Sequence, residues 1–125
     1  MRARQEQQVV EFETENRRFF ADYAEVEQQN ANLANLYYVP FAPHMVASFL
    51  GAMASCHVCA SVPNFMILEW QTYFDTQPMW KEMVTYDGPW VEKGFIRVSD
   101  KPGIGVDINE EGMRKYAVAN VPFFA

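Results

Sequence analysis

Two apolar segments separated by one helical stretch constrain this chain more than anything else in it. The first, Leu36-Tyr37-Tyr38-Val39-Pro40-Phe41-Ala42, is dense in aromatic and β-prone residues and is closed by Pro43. The second, Asn64-Phe65-Met66-Ile67-Leu68-Glu69-Trp70, is a continuous apolar run of the kind expected when a strand is covered on both faces. Between them Val46, Phe49, Leu50, Met53, His57 and Ala60 recur at helical spacing among small residues, and the pattern stops before Pro63. Strand, tightly packed helix and strand in that order predict a βαβ unit with parallel strands, which places the chain in the α/β class. Pro40 inside the first segment requires either that its amide is not needed by a neighbour or that the strand is short.

The flanking regions differ from this unit and from each other. Residues 1–36 are polar, with sparse apolar positions at Val9, Phe12, Phe19, Tyr23 and Val26, whose spacing follows one face of an α-helix. They predict an N-terminal amphipathic helix packed against a neighbour, with Gln28-Gln29-Asn30-Ala31-Asn32 as a fraying end or loop. Beyond Trp70, Asp87-Gly88-Pro89 and Lys93-Gly94 punctuate short extended pieces, and Lys101-Pro102-Gly103-Ile104-Gly105-Val106 reads as a turn leading into a strand. Asn109 is a good N-cap, and Glu110 and Glu111 suit the first turn of a last helix running to about Ala119.

Composition removes several classes of function. A chain of 125 residues that is half apolar fits one modest core, and a net charge of −6 disfavours a nucleic-acid or anionic-membrane surface. No apolar run approaches the roughly 20 residues that span a bilayer, so the expectation is a cytoplasmic protein. Cys56 and Cys59 flank His57 in C-H-V-C, yet the ligand sets of structural zinc, the haem-attachment order and the thioredoxin frame are all missing. Buried helix residues in a reducing compartment account for them more simply. The G-x-G at Gly103 to Gly105 lacks the third glycine and the strand-turn-helix setting of a nucleotide loop, and Trp70, Trp80 and Trp90 read as packing residues.

Two polar residues stand where an apolar run ends: His44 after the first and Glu69 near the end of the second. Parallel strands converge at their carboxyl ends, so an imidazole and a carboxylate would share one rim. Taken by themselves, a satisfied structural histidine and a solvated glutamate explain such a pair more simply than a site does.

The wider pattern favours the functional alternative. Ala42-Pro43-His44, then Val62-Pro63-Asn64-Phe65 with Leu68-Glu69, then Lys101-Pro102-Gly103-Ile104-Gly105-Val106, taken in order and spacing with the helix between the first two, resemble the C-terminal part of the enolase superfamily. The likeness runs from Tyr37 to roughly Tyr116 and is to the mandelate racemase-like group that includes galactonate and mannonate dehydratases. It implies a partial (β/α) TIM-type barrel, with Tyr37 to Ala42 as its seventh strand, Val46 to Ser61 as the helix that follows, and Phe65 to Trp70 as its eighth strand. The implied organisation is a helical segment over 1–36, the end of the barrel over 37–76, and a return to the capping domain over 77–125.

By the same resemblance His44 is the catalytic general acid/base and Glu69 contacts the substrate. Imidazole suits the first role because it exchanges protons near neutral pH without a large perturbation. The chemistry implied is removal of the proton next to a carboxylate and loss of water, with Mg²⁺ held by acidic residues of the third, fourth and fifth strands. Those strands, and the sixth-strand aspartate that orients the histidine, have no counterpart in this sequence. A chain inactive by itself is therefore expected. The partners to consider are a sugar-acid substrate, a complementary barrel fragment, or further copies joined through residues 1–36.

Overall fold

The computed structural model of the protein describes residue 18 and residues 21–46, 48–71 and 76–119. Residues 21–36 are helical (α1), followed by α2 (Phe49–Ser61), the short α3 (Pro78–Glu82), β1 (Val84–Thr85), β2 (Asp107–Ile108) and α4 (Glu110–Lys115). β1 and β2 pair antiparallel, with Val84 opposite Ile108 and Thr85 opposite Asp107.

Of the expected βαβ unit only the helix forms in full: neither the segment over 36–42 nor that over 64–70 is a strand, and the two meet at one isolated parallel bridge, Phe41 to Phe65. The Phe41 amide donates to the Asn64 carbonyl at 2.8 Å, and the Met66 amide donates to the Phe41 carbonyl at 2.9 Å. The next rung would need an amide on residue 43, and proline has none. The Pro43 carbonyl instead accepts from the Glu69 amide at 3.4 Å, one residue further on than a regular ladder would bring. The strand expected over 36–42 does not form for a second reason. Tyr37 and Tyr38 turn the chain out of α1, with Tyr38 left-handed at φ 55° and the Val39 amide closing on the Ala34 carbonyl at 2.9 Å.

α2 is buried on nearly all sides, as expected of a helix without a polar face. Ser48 caps it, its Oγ accepting from the Gly51 amide at 3.3 Å, so the helix begins three residues later than the expected Val46. One side carries Val58 and Val62 against Ala31 of α1 and Phe41. The other carries Phe49, Met53 and Cys56 against Val84 and Trp90, joined by the half-buried Trp70, Trp80 and Tyr86. Tyr86 and Trp90 stack at 4.5 Å, and Phe49 meets Trp70 edge-on at 6.2 Å. The three tryptophans are thus packing residues, as read from sequence.

α1 departs from expectation in two ways. It runs through 28–32, where a frayed end or loop was expected, because those polar residues have tertiary partners. Gln28 accepts from Ser61 Oγ at 2.8 Å, and Asn64 donates to the Ala31 and Val39 carbonyls, each at 3.0 Å. The buried face is also displaced: Val26 is exposed, while Ala24, Glu27 and Ala31 face the interior. Small side chains let the helices approach, and Ser55 Oγ of α2 donates to Glu27 Oε1 at 3.1 Å, which makes a buried acid tolerable. The apolar positions Val9, Phe12 and Phe19 lie outside the described residues.

The C-terminal region follows its turn chemistry. Gly103 and Gly105 are left-handed at φ 78° and 76°, and a Cβ on Gly105 would lie 2.4 Å from Ser99 Cβ, so this G-x-G shapes a turn into β2. Asn109 caps α4, accepting from the Gly112 amide at 3.3 Å and donating through Nδ2 to the Glu82 carbonyl at 2.8 Å. α4 ends at Lys115, short of Ala119, where Lys115 Nζ and the Tyr116 hydroxyl both donate to Glu82 Oε2, at 2.6 and 2.9 Å.

Candidate functional site

The displaced rung at Pro43 shapes the site. By bringing the Glu69 amide beside Pro43, it sets the Glu69 side chain against the residue that follows Pro43. His44 Nδ1 and Glu69 Oε2 are in direct contact, with the two side chains 77% and 45% exposed. Sequence reasoning expected these residues on one rim, and the structure brings them together. It also makes Glu69 the partner of the imidazole, a relation the resemblance had given to an aspartate elsewhere.

A carboxylate on Nδ1 fixes the tautomer and ring orientation and leaves Nε2 to exchange a proton with a ligand. The pair stands at the mouth of an open cleft of about 960 Å³. Ala42, Pro43 and Phe65 to Trp70 form one wall, Cys56, Cys59 and Ala60 of α2 another, and residues around the 92–95 turn a third. That last wall was not foreseen. Its only sequence signal is the Lys93-Gly94 pair, whose left-handed φ values of 53° and 84° make the tight turn that returns Phe95 to the cleft.

The C-H-V-C segment is packed between the cleft and the core. Burial pushes both thiols up to about 12, aided by Cys59 and Glu27 at Cys56 and by Glu27 at Cys59. The His57 Nε2–H donates to the Ile104 carbonyl at 3.2 Å, tying α2 to the G-x-G turn. Burial likewise raises the Tyr23 hydroxyl, beside Ser55 and Glu27. Among the described residues, no three His, Cys, Asp or Glu side chains converge as a metal site would require. The His44–Glu69 pair and its surroundings do not by themselves fit Mg²⁺. Nor, among the described residues, is any helix long and apolar enough to cross a membrane.

A histidine–carboxylate pair that follows two parallel segments joined by a helix is an α/β arrangement of the kind found at the strand ends of β/α folds. The particular family follows from comparison. Residues 27–112 match the Enolase C-terminal domain-like family, and the chain belongs to it. It is 33% identical over 94 residues to a D-xylonate dehydratase of Haloferax volcanii, a match covering 75% of this chain and 22% of that enzyme. A D-mannonate dehydratase of Novosphingobium aromaticivorans is 35% identical over 88 residues, covering 69% of this chain and 21% of that one. A mandelate racemase/muconate lactonizing enzyme-like protein from Rubrobacter xylanophilus superposes with a TM-score of 0.69 at 42% identity, over 78% of this chain and 25% of that structure. This chain therefore spans about a fifth to a quarter of the length of these relatives.

Proposed function

We propose that this chain carries the acid/base corner of a sugar-acid dehydratase and does not turn over substrate by itself. In this reading the segments around Phe41 and Phe65 are the seventh and eighth strands of the barrel, α2 lies between them, and the chain beyond about residue 77 returns toward a capping domain. The observation that carries the proposal is the contact of His44 Nδ1 with Glu69 Oε2 at the cleft mouth.

Dehydration of a sugar acid breaks the C–H bond next to the carboxylate and leaves its electron pair delocalised into that carboxylate. The pair then expels the neighbouring hydroxyl, which takes up a proton and departs as water. His44 Nε2 is the group that gives or takes a proton in these steps, while Glu69 holds the ring and offers its other oxygen to a substrate hydroxyl. Proton transfer by a positioned group is worth roughly 10²–10⁴-fold. Stabilising the delocalised charge takes a strong electrophile, which this family obtains from Mg²⁺, and the described residues bring no such cluster together. That gap is the reason for expecting an inactive isolated chain.

A chimera tests the roles. Residues 27–112 replace the matching region of the xylonate dehydratase, and formation of the 2-keto-3-deoxy acid is followed with xylonate, galactonate and mannonate. An active chimera that loses about 10²–10⁴-fold in kcat with His44→Asn supports the reading. An active chimera indifferent to His44→Asn rejects the acid/base role, and turnover by the 125-residue chain alone rejects the expected inactivity.

A further inference from the structure

His44 and Glu69 meet with both side chains largely exposed, and a contact between exposed groups is too weak to hold a ring in one place. What fixes them has to come from the chain on either side of each, and there the two segments share a pattern. Pro43 and Met45 are buried around the exposed His44, while Leu68 and Trp70 are half-buried around the exposed Glu69. Side chains of an extended chain alternate between two sides, so inward neighbours turn the polar group between them outward. Those inward neighbours meet. Met45 and Ala52 of α2, each fully buried, form one small cluster, and Leu68, Trp70 and Trp80 of α3 pack against it.

We propose that Met45 is a positioning residue: clustered with Leu68, Trp70 and Trp80, it fixes both segments beneath the His44–Glu69 contact and so holds the imidazole with Nδ1 on the carboxylate. The inference rests on the acid/base role proposed above for His44, because it says how the group that moves the proton is held. Two observations select Met45. Among the described residues the backbone joins the segments at this point through one long bond, from the Glu69 amide to the Pro43 carbonyl at 3.4 Å, which constrains the direction of the next residue only weakly. Of the largest fully buried side chains, Phe49, Met45, Met53 and Ser55, Met45 is the one adjacent in sequence to a member of the pair. Its unbranched thioether suits the irregular space between a helix and two loops of chain. Trp80 lies in α3, so the region that follows the second segment also bears on the ring.

NMR of the imidazole nitrogens in the full chain tests this, since the two neutral tautomers differ in their ring-nitrogen shifts. At about pH 9, where an ordinary imidazole is neutral, the parent should favour the Nδ1–H form, whose proton the carboxylate accepts, and Glu69→Ala gives the ratio for an unheld ring. Met45→Ala should lower the ratio of Nδ1–H to Nε2–H about two- to fivefold, toward the Glu69→Ala value, which is the whole of what a contact between exposed groups contributes. Met45→Leu, close in volume and apolar, should keep the parental ratio. Val58→Ala, a truncation in the separate cluster around Ala31 and Val62, should lower Tm and leave the ratio unchanged. A parental ratio in Met45→Ala overturns the proposal, as does an equal loss in Val58→Ala. Should Met45→Ala not fold, Trp80→Leu decides in its place: a lowered ratio supports the positioning role and a parental one overturns it.

Turnover separates this inference from the reading it rests on. In the chimera described above, Met45→Ala should lower kcat with KM nearly unchanged, and an unchanged kcat in a chimera that needs His44 overturns the positioning role. A chimera indifferent to His44→Asn rejects the acid/base role instead, while the tautomer ratio still decides whether Met45 holds the ring.

Discussion

Gly112 sets the C-terminal helix close against the Glu82 carbonyl, and Gly112→Ala sets two effects of opposite sign against each other. Within a helix, alanine is favoured over glycine by about 1 kcal/mol. The added Cβ, however, would lie 1.9 Å from the Glu82 carbonyl oxygen and 2.6 Å from its carbon, both backbone atoms. Ordinary contact between carbon and oxygen needs more than about 3 Å, so α4 must retreat by roughly 1 Å. That retreat stretches the 2.8 Å bond from Asn109 Nδ2 to the same carbonyl and disturbs the Lys115 and Tyr116 contacts to Glu82. Overpacking costs about 1–3 kcal/mol, and loss of one capping bond about another 1 kcal/mol, so the clash outweighs the propensity gain. The expected net loss is about 1–3 kcal/mol, or a fall in Tm on the order of 4–15 °C for a chain of this size. Thermal unfolding followed by circular dichroism measures it. An unchanged or higher Tm would show that α4 does not rest on Glu82 in solution and would refute the reasoning.

Three further outcomes follow from the same physics. Tyr38→Gly should raise stability by about 1 kcal/mol, because a left-handed φ of 55° strains any residue with a Cβ and the ring is 96% exposed; a loss of Tm in the free chain would contradict this. Cys56 and Cys59, buried and pushed up to about 12, should react with a thiol reagent at pH 8 on the order of a thousandfold more slowly than a free cysteine. Their rate should rise with pH up to that value, and labelling at the free-thiol rate in the folded chain argues against their burial. The Glu82 carboxyl is held below its ordinary value of 4.5, first by the hydrogen bond from Lys115 and then by that from Tyr116. A lowered folded pKa contributes stability above the unfolded value and loses it as pH falls through the folded one. Lys115→Met should therefore lower Tm at neutral pH, and the difference from the parent should vanish once pH has fallen below that folded value; a pH-independent difference excludes the pair as its source.

The sequence by itself determined the segment-helix-segment order and the residues at the segment ends, because both are written in local terms. Apolar runs bounded by Pro43 and Pro63 and helical spacing between them are legible without neighbours. The cap at Asn109 and the turn through Gly103 and Gly105 are legible for the same reason, since each depends on one residue's chemistry. The family resemblance, carried by motif order, was legible as well.

Tertiary structure alone decided the rest. A buried Glu27 contradicts any reading by hydrophobicity, and its Oε1 finds its partner in Ser55, which arrives from another helix. The extent of α1 depended on partners for Gln28 and on Asn64, which lies more than thirty residues from Ala31. That His44 is held by Glu69 follows from a missing amide at Pro43 and a rung displaced by one residue. Backbone register between distant segments is a property of how they pack, and the order of residues along the chain does not encode it locally.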